Sequence, residues 1–447
     1  MSKKLLLSIT IGALLAPGFA NATNGMMLIG FGAKSRAMGG VGVAYANDSL
    51  ALAYNPANLE DINPRFDIGG DLFIPPRAVK HESSLLPVAD PSNPASPDGR
   101  ATTDFFLVPS LAYADRWNDR ITYGFAMVGA GLQTEYKQPP NTFFNFNGLA
   151  TNEVGVELIQ MQMLPSIAYK LDDQNTFGVS LALGLQGFRA EGLQAFVQLG
   201  FASAGNEGNL TNRDWDVTYG AGIRVGWKGH YMNNRLQVGA NIASKVYMKE
   251  FDKYSGLFAE QGDFDIPATY AVGIAYRLND DINLAFDIKR VKYTGVASIA
   301  NPGPNAADPS DFNPLCPGVD TDICKLGGDL GMGFGWKDQT VFKFGADYRY
   351  NDQYTFMGGI NYGKSPIPAD QVLFNMLAPA TPEWHLTLGA TYQWNKDIEL
   401  SFNFMHAFLN TIKGPTAFGP TQAPVAGSNA SIAMQQNSFG AMLGWKF

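Results

Sequence analysis

The chain has 447 residues, of which 46% are hydrophobic and 16% charged, and a net charge of −8. That acidic balance gives no reason to expect a nucleic-acid partner. Mean hydropathy of −0.08 suits a soluble protein and equally a transmembrane barrel, whose strands alternate lipid-facing apolar with lumen-facing polar residues, so the pattern along the chain has to decide.

Residues 1–22 read as a secretory signal peptide, with Lys3 and Lys4, an apolar run over 5–15, and Ala20-Asn21-Ala22 as a small-x-small cleavage site. The apolar run is shorter than the ~20 residues of a membrane-spanning helix, and no later segment qualifies as one. Residues 23–64 form a second unit. Gly39, Gly40 and Gly42 can take φ > 0 and let backbone pass close to a neighbour. Asp48 is a candidate N-cap for one short helix over 50–54, which Asn55, biased out of the α region by Pro56, would end. A compact knot is expected here, not a strand.

Over 65–447 the pattern has period two. Alternation marks strands near 65–75, 104–114, 120–131, 159–171, 176–187, 215–227, 235–247, 267–278, 281–293, 340–350, 353–362, 384–394, 398–405 and 438–447, about fourteen in all. Short connections such as Asn118-Asp119, Asp172-Asp173-Gln174, Asn279-Asp280, Asn351-Asp352 and Asn395-Lys396 alternate with long ones near 76–103, 132–158, 188–214, 248–266, 294–339, 363–382 and 409–437. Short turns on one rim and long loops on the other are the asymmetry of an outer-membrane barrel. The expected fold is all-β, a transmembrane antiparallel β-barrel. A soluble sandwich would also alternate, but the signal peptide and the aromatic residues at strand ends favour the membrane. Pro109 and Pro165 stand at matching places in two similar hairpins, and the missing ladder donor predicts bulges or kinks there.

A Gly-rich N-terminus running into Asn55-Pro56-Ala57, followed by a long barrel-type sequence that ends in Phe447, resembles the FadL-type outer-membrane transporters of long-chain fatty acids and aromatic hydrocarbons. The resemblance implies a bacterial outer-membrane protein that is no enzyme and carries no cofactor or metal. Its partners would be a hydrophobic small-molecule substrate, outer-membrane lipid and, through the C-terminal strand, the barrel-assembly machinery, with the chain a monomer. Barrels of sixteen or more strands leave an aqueous channel, so about fourteen would leak unless the lumen is closed. Residues 23–64 are available as that plug; a periplasmic tail on a general-diffusion porin or structural barrel is the alternative.

Met26, Met27, Leu28, Ile29 and Phe31 at the leading end of this segment offer adaptable apolar surface to a ligand, or pack it against the wall. The resemblance tips this toward a ligand, since in FadL-type proteins the plug's N-terminus borders the main pocket. The loop carrying Leu193, Phe196, Val197, Leu199 and Phe201 is similar to the family's outer capture groove, if it is not a cap of loops packed on each other. Lys289 and Lys343, with Lys245 as a third lumen-register base, would countercharge a carboxylate, or Lys289 and Lys343 would pair with Asp287 and Asp347 as a wall charge ladder. Lys34 and Arg36 could hold the plug to Asp67 or Asp71. Cys316 and Cys324 suit a local disulfide in an oxidising compartment; two thiolates without a nearby histidine are too few for a metal. The four histidines follow no catalytic spacing.

Overall fold

The computed structural model describes residues 24–81, 98–100, 105–137, 144, 153–198, 200–203, 205–303, 315–316, 321–415 and 429–447. The leader read at 1–22 and the loop residue Leu199 lie outside them. The long strands are β1 (Arg65–Ile74), β2 (Phe106–Arg116), β3 (Ile121–Tyr136), β4 (Val154–Lys170), β5 (Asn175–Glu191), β6 (Asp216–Tyr231), β7 (Leu236–Ala243), β8 (Thr269–Arg277), β9 (Ile282–Val291), β10 (Gln339–Arg349), β11 (Tyr354–Gly363), β12 (Trp384–Gln393), β13 (Ile398–Pro415) and β14 (Asn429–Lys446). Each pairs antiparallel with its sequence neighbours, and β1 pairs with both β2 and β14, so among the described residues the fourteen close into a ring. Closure removes both edges and satisfies the backbone within the wall, as a hydrocarbon layer requires.

Every strand expected from alternation is present, but several run further outward. β3 continues to Tyr136, β5 to Glu191 and β13 to Pro415, while β4 starts at Val154 and β14 at Asn429. At the outer ends of β3, β4 and β5 the alternation reverses: Leu132, Tyr136, Val154, Val156, Leu158 and Phe188 are buried on the inner face, while Gln133, Glu135, Glu157, Arg189 and Glu191 stand on the other, so the ladder persists where the lipid-facing apolar period ends. Trp384 and Trp394 bracket the 10-residue β12 and are 51% and 63% exposed. At ~3.3 Å per residue and a tilt of about 40°, the two rings lie roughly 25 Å apart, the height of the lipid-facing apolar band of such barrels.

The tight rim has a chemical cause. In five turns an Asx side chain, from Asn118, Asp172, Asn279, Asn351 or Asn395, accepts hydrogen bonds from the backbone N–H groups two and three residues on, at 2.7–2.9 Å. The side chain supplies the acceptor that the reversing backbone lacks. On the opposite rim Cys316 is bonded to Cys324. There the partly buried Asp338 carboxylate, with Lys292 and the Thr294 backbone and hydroxyl donors around it, clasps the two ends of a long loop. Burial alone would raise its pKa, but these partners outweigh that and hold it at about 2.

Neither proline makes a bulge. Opposite Pro165 the β4–β5 pairing lapses between Met163 and Ser166 and resumes in the same register. At Pro109 the β2–β3 ladder stops: its last pair is Ser110 with Val128, and residues 129–136 of β3 pair only with β4. Pro109 has no N–H to offer a ladder, while β2 stays in register with β1 there, opposite Gly70. Among the described ladders with the β13–β14 pair included, the one register shift noted there falls between Ala407 and Asn410. As a test of orientation, an epitope inserted at Leu315 should be labelled on intact cells and one between Asn351 and Asp352 should not; equal labelling of both would invert the assignment of the rims.

Candidate functional site

Residues 24–62 lie inside the ring, against β2–β6 on one side and β11–β13 on the other. The segment is one α-helical turn, α1 (Ala33–Ala37), and two 3₁₀ turns, Ser49–Ala53 and Pro56–Asp61. Asp48 caps the first 3₁₀ turn, accepting from the Leu50 N–H at 3.0 Å. The single-helix expectation is corrected at Asn55-Pro56-Ala57, which starts the second turn: Asn55 Oδ1 accepts from the Ala57 N–H at 3.0 Å and Pro56 takes the first helical position. The Asn55 amide also donates to Val43 O at 2.9 Å and to Trp227 O of the wall at 3.0 Å. Gly39 and Gly40 have φ of +70° and +80°, and a Cβ on Gly40 would lie 1.9 Å from Ile29 O, so only glycine fits there.

Wall carboxylates are engaged by this segment. Asp287 accepts from the N–H groups of Gly42 and Val43 at 2.7 and 3.0 Å, and Asp347 from the Tyr45 hydroxyl and, at 2.9 Å, Asn283. Glu399 gathers Lys34, Arg65 at 2.6 Å and Lys446 at 2.9 Å, and Arg36 lies 3.3 Å from Asp71. Lys343 Nζ donates to the Ile29 and Gly40 carbonyls at 2.7 and 2.8 Å. In the expected ladder of Lys289 and Lys343 with Asp287 and Asp347, Asp287 does stand opposite Lys343, but no hydrogen bond or ion pair joins these lysines to these aspartates among the described residues, because Asp287, Asp347 and Lys343 bond to the inner segment. Lys245 is drawn out of the lumen set by Asp265, at 2.7 Å.

Two cations remain. The side chains of Lys289 and Arg224 make no hydrogen bond or ion pair among the described residues, and the charged neighbours acting on Lys289 are Lys343 and Arg224, of its own sign. They line a cavity of about 50 Å³ together with Met27, Leu28, Phe31, Lys343 and the plug-bonded Asp287. Leu28 and Ile29 also pack against Phe73, Phe106 and Val108, beside the point where the β2–β3 ladder stops. Met26 is buried in the main apolar core instead. On the short-turn side lies a separate polar vestibule of about 920 Å³ bordered by Tyr45, Arg116, Arg277, Asp347 and Arg349.

The exposed outer groove is not found. Phe196 and Phe201 are each 2% exposed and pack on each other and, from Phe196, on Phe144 and Phe374, with ring centroids 5.1–6.2 Å apart. These loops cap the barrel, because apolar side chains at this density bury one another when neighbouring loops are within reach.

Residues 16–438 match the family model described as outer membrane protein transport protein (OMPP1/FadL/TodX). The chain belongs to this family. It is 23% identical over 401 residues to the long-chain fatty acid transport protein of Escherichia coli O6:H1, covering 83% of this chain and 84% of that protein. Among solved structures, the P. putida toluene transporter TodX superposes with a TM-score of 0.67 at 20% identity, covering 94% of this chain and 99% of that one. A Pseudomonas aeruginosa FadL homologue superposes with a TM-score of 0.65 at 14% identity, covering 97% and 100%. The protein is thus an outer-membrane transport barrel of the FadL/TodX type.

Within this FadL/TodX-type barrel, Arg224 and Glu399 were not singled out from sequence, although both stand in lumen register on recognised strands. Register marks a residue as inward; only the fold shows which inward charges meet the plug. Glu399→Gln should leave the buried Lys34 without its ion-pair partner, while Arg65 keeps Asp67, at a cost of about 3–5 kcal/mol for breaking a buried pair. A clear drop in the thermal unfolding midpoint is expected, whereas Lys396→Gln in the exposed turn should leave it unchanged.

Proposed function

We propose that this barrel takes up amphipathic apolar molecules with a carboxylate head, of the long-chain fatty acid class, past residues 24–31 acting as a valve. The observation that carries the reading is the pair Lys289 and Arg224, whose side chains form no ion pair among the described residues and stand beside the apolar side chains of Met27, Leu28 and Phe31. Like charges gathered in a low-dielectric site repel, and an anionic ligand head relieves both the repulsion and the lost hydration. A neutral hydrocarbon would do neither. The acyl tail would gain about 0.8 kcal/mol for each CH₂ it hides from water.

About 50 Å³ of free space is far below the ~300 Å³ or more of ordinary ligand pockets, so the cargo must displace residues 24–31. Few bonds hold them: Tyr293 donates to Asn24 O at 2.6 Å, Lys343 to Ile29 O, and the Tyr54 ring meets Phe31. In this reading Lys289 and Arg224 bind cargo, and Lys343 holds the valve shut. Lys289→Met should therefore weaken saturable uptake of a long-chain carboxylate about tenfold, the worth of one charge-assisted hydrogen bond, and leave a neutral alkane unaffected. Lys343→Met should instead raise ion leakage in planar bilayers above the small wild-type conductance. Equal loss of both cargoes in Lys289→Met would refute the carboxylate head; a large, steady wild-type conductance would favour a general porin.

Exit is proposed to be sideways. Below the plug the vestibule is polar and hydrated, where a released acyl chain would regain the water contact it had lost. The gap between β2 and residues 129–136 of β3, which pair only with β4, opens beside Val108, against which Leu28 and Ile29 pack. Continuing the Ser110–Val128 register would pair Val108 with Ala130. A Val108→Cys/Ala130→Cys disulfide closing that ladder should block uptake until it is reduced; undiminished uptake in the oxidised protein would point to the periplasmic route.

A further inference from the structure

We propose that pairs of inward-facing glycines in the barrel wall are sockets that seat the plug backbone, and that residues 38–57 stay seated in them while residues 24–31 move. The inference takes the plug reading as given and is independent of the cargo. Glycine weakens a strand, and two glycines directly opposite each other leave a hole on the sheet face. Three such cross-strand pairs face the plug: Gly178 with Gly226, Gly239 with Gly273, and Gly345 with Gly359.

Plug backbone fills each hole. A Cβ on Gly345 would stand 2.3 Å from Met38 O, and one on Gly359 2.2 Å from Gly39 N. At Gly239 it would meet Val43 O at 2.4 Å and at Gly178 Ala57 N at 2.4 Å, while on Gly226 it would overlap the Asn55 side-chain oxygen. None of these distances is open to a real side chain. Hydrogen bonds lock the same places: Thr387 accepts from Gly39 N–H at 2.8 Å, Asn361 donates to Gly39 O at 3.2 Å, and Asn55 donates to Trp227 O at 3.0 Å. A fourth pair, Gly184 with Gly220, meets the short strand Tyr247–Met248 that pairs with β6: a Cβ on Gly184 would stand 2.8 Å from Met248 Sδ and one on Gly220 2.2 Å from Tyr247 O. Gly358, next to Gly359 but facing outward, is different: a Cβ there would find its nearest atom at 3.7 Å.

That contrast sets the test. Full-length Gly359→Ala and, at a separate socket, Gly239→Ala should keep the heat-modifiable migration of a folded barrel yet raise ion leakage in planar bilayers about tenfold, since an unseated plug leaves the lumen open. Gly358→Ala should match wild type in both measurements. Folded Gly359→Ala and Gly239→Ala proteins that leak no more than Gly358→Ala would overturn the proposal. So would failure of both to fold when Gly358→Ala folds, because the glycines would then serve the wall itself. Unchanged cargo specificity in the leaky variants is expected, and keeps this result apart from the test at Lys289.

Discussion

A hydrocarbon layer offers no hydrogen-bond partner to a peptide group, and the rest of this structure depends on that constraint. The backbone satisfies itself only by closing a ring, and a ring of fourteen strands encloses more space than wall side chains fill. Residues 24–62 occupy that space, and the wall is built to receive them. Asp287, Asp347 and Glu399 present carboxylates to plug N–H, hydroxyl and ammonium groups, and Lys343 reaches plug carbonyls. Buried polar groups are costly when unpaired, so each such contact also fixes where the plug can sit.

The plug is held unevenly, and that unevenness is what makes a valve possible. From α1 onward it meets charged partners on several strands and has its backbone against the wall. The leading residues rest mainly on apolar packing and on a few hydrogen bonds from Tyr293, Lys343 and Tyr54. Packing against Phe73, Phe106 and Val108 can be replaced by packing against an acyl chain at little net change in apolar burial, whereas a buried ion pair has no such substitute.

Much of the fold was legible because a lipid-facing wall imposes period two over the whole apolar band. Every barrel strand and the Asx turns followed from it. What alternation does not report is pairing. Pro109 ends the ladder with β3 while β2 keeps its register with β1, and Gly345 and Gly359 stand opposite each other only because their strands align that way. Asn55 was read as a helix stop because Pro56 disfavours α at the preceding residue; the same pair is an N-cap followed by proline at the first helical position, and local chemistry alone does not choose between them. Phe196 and Phe201 were expected at a surface groove, yet burial of a loop depends on which other loops arch over it.

The lysines show where sequence reading of the site stops. Lys289 and Lys343 share lumen register on adjacent strands, and each has an aspartate on its own strand or the next, so pairing and ligand binding are equally natural readings of the chain. The fold separates them by what surrounds them. Lys343 donates to two plug carbonyls, and Asp287 accepts from two plug N–H groups. Lys289 is thereby deprived of its expected acid and left facing Arg224 across apolar side chains. In the proposed reading the plug prepares the anion site by occupying the carboxylate that would otherwise neutralise it, so that closure of the lumen and preparation for a charged head would arise from one set of contacts.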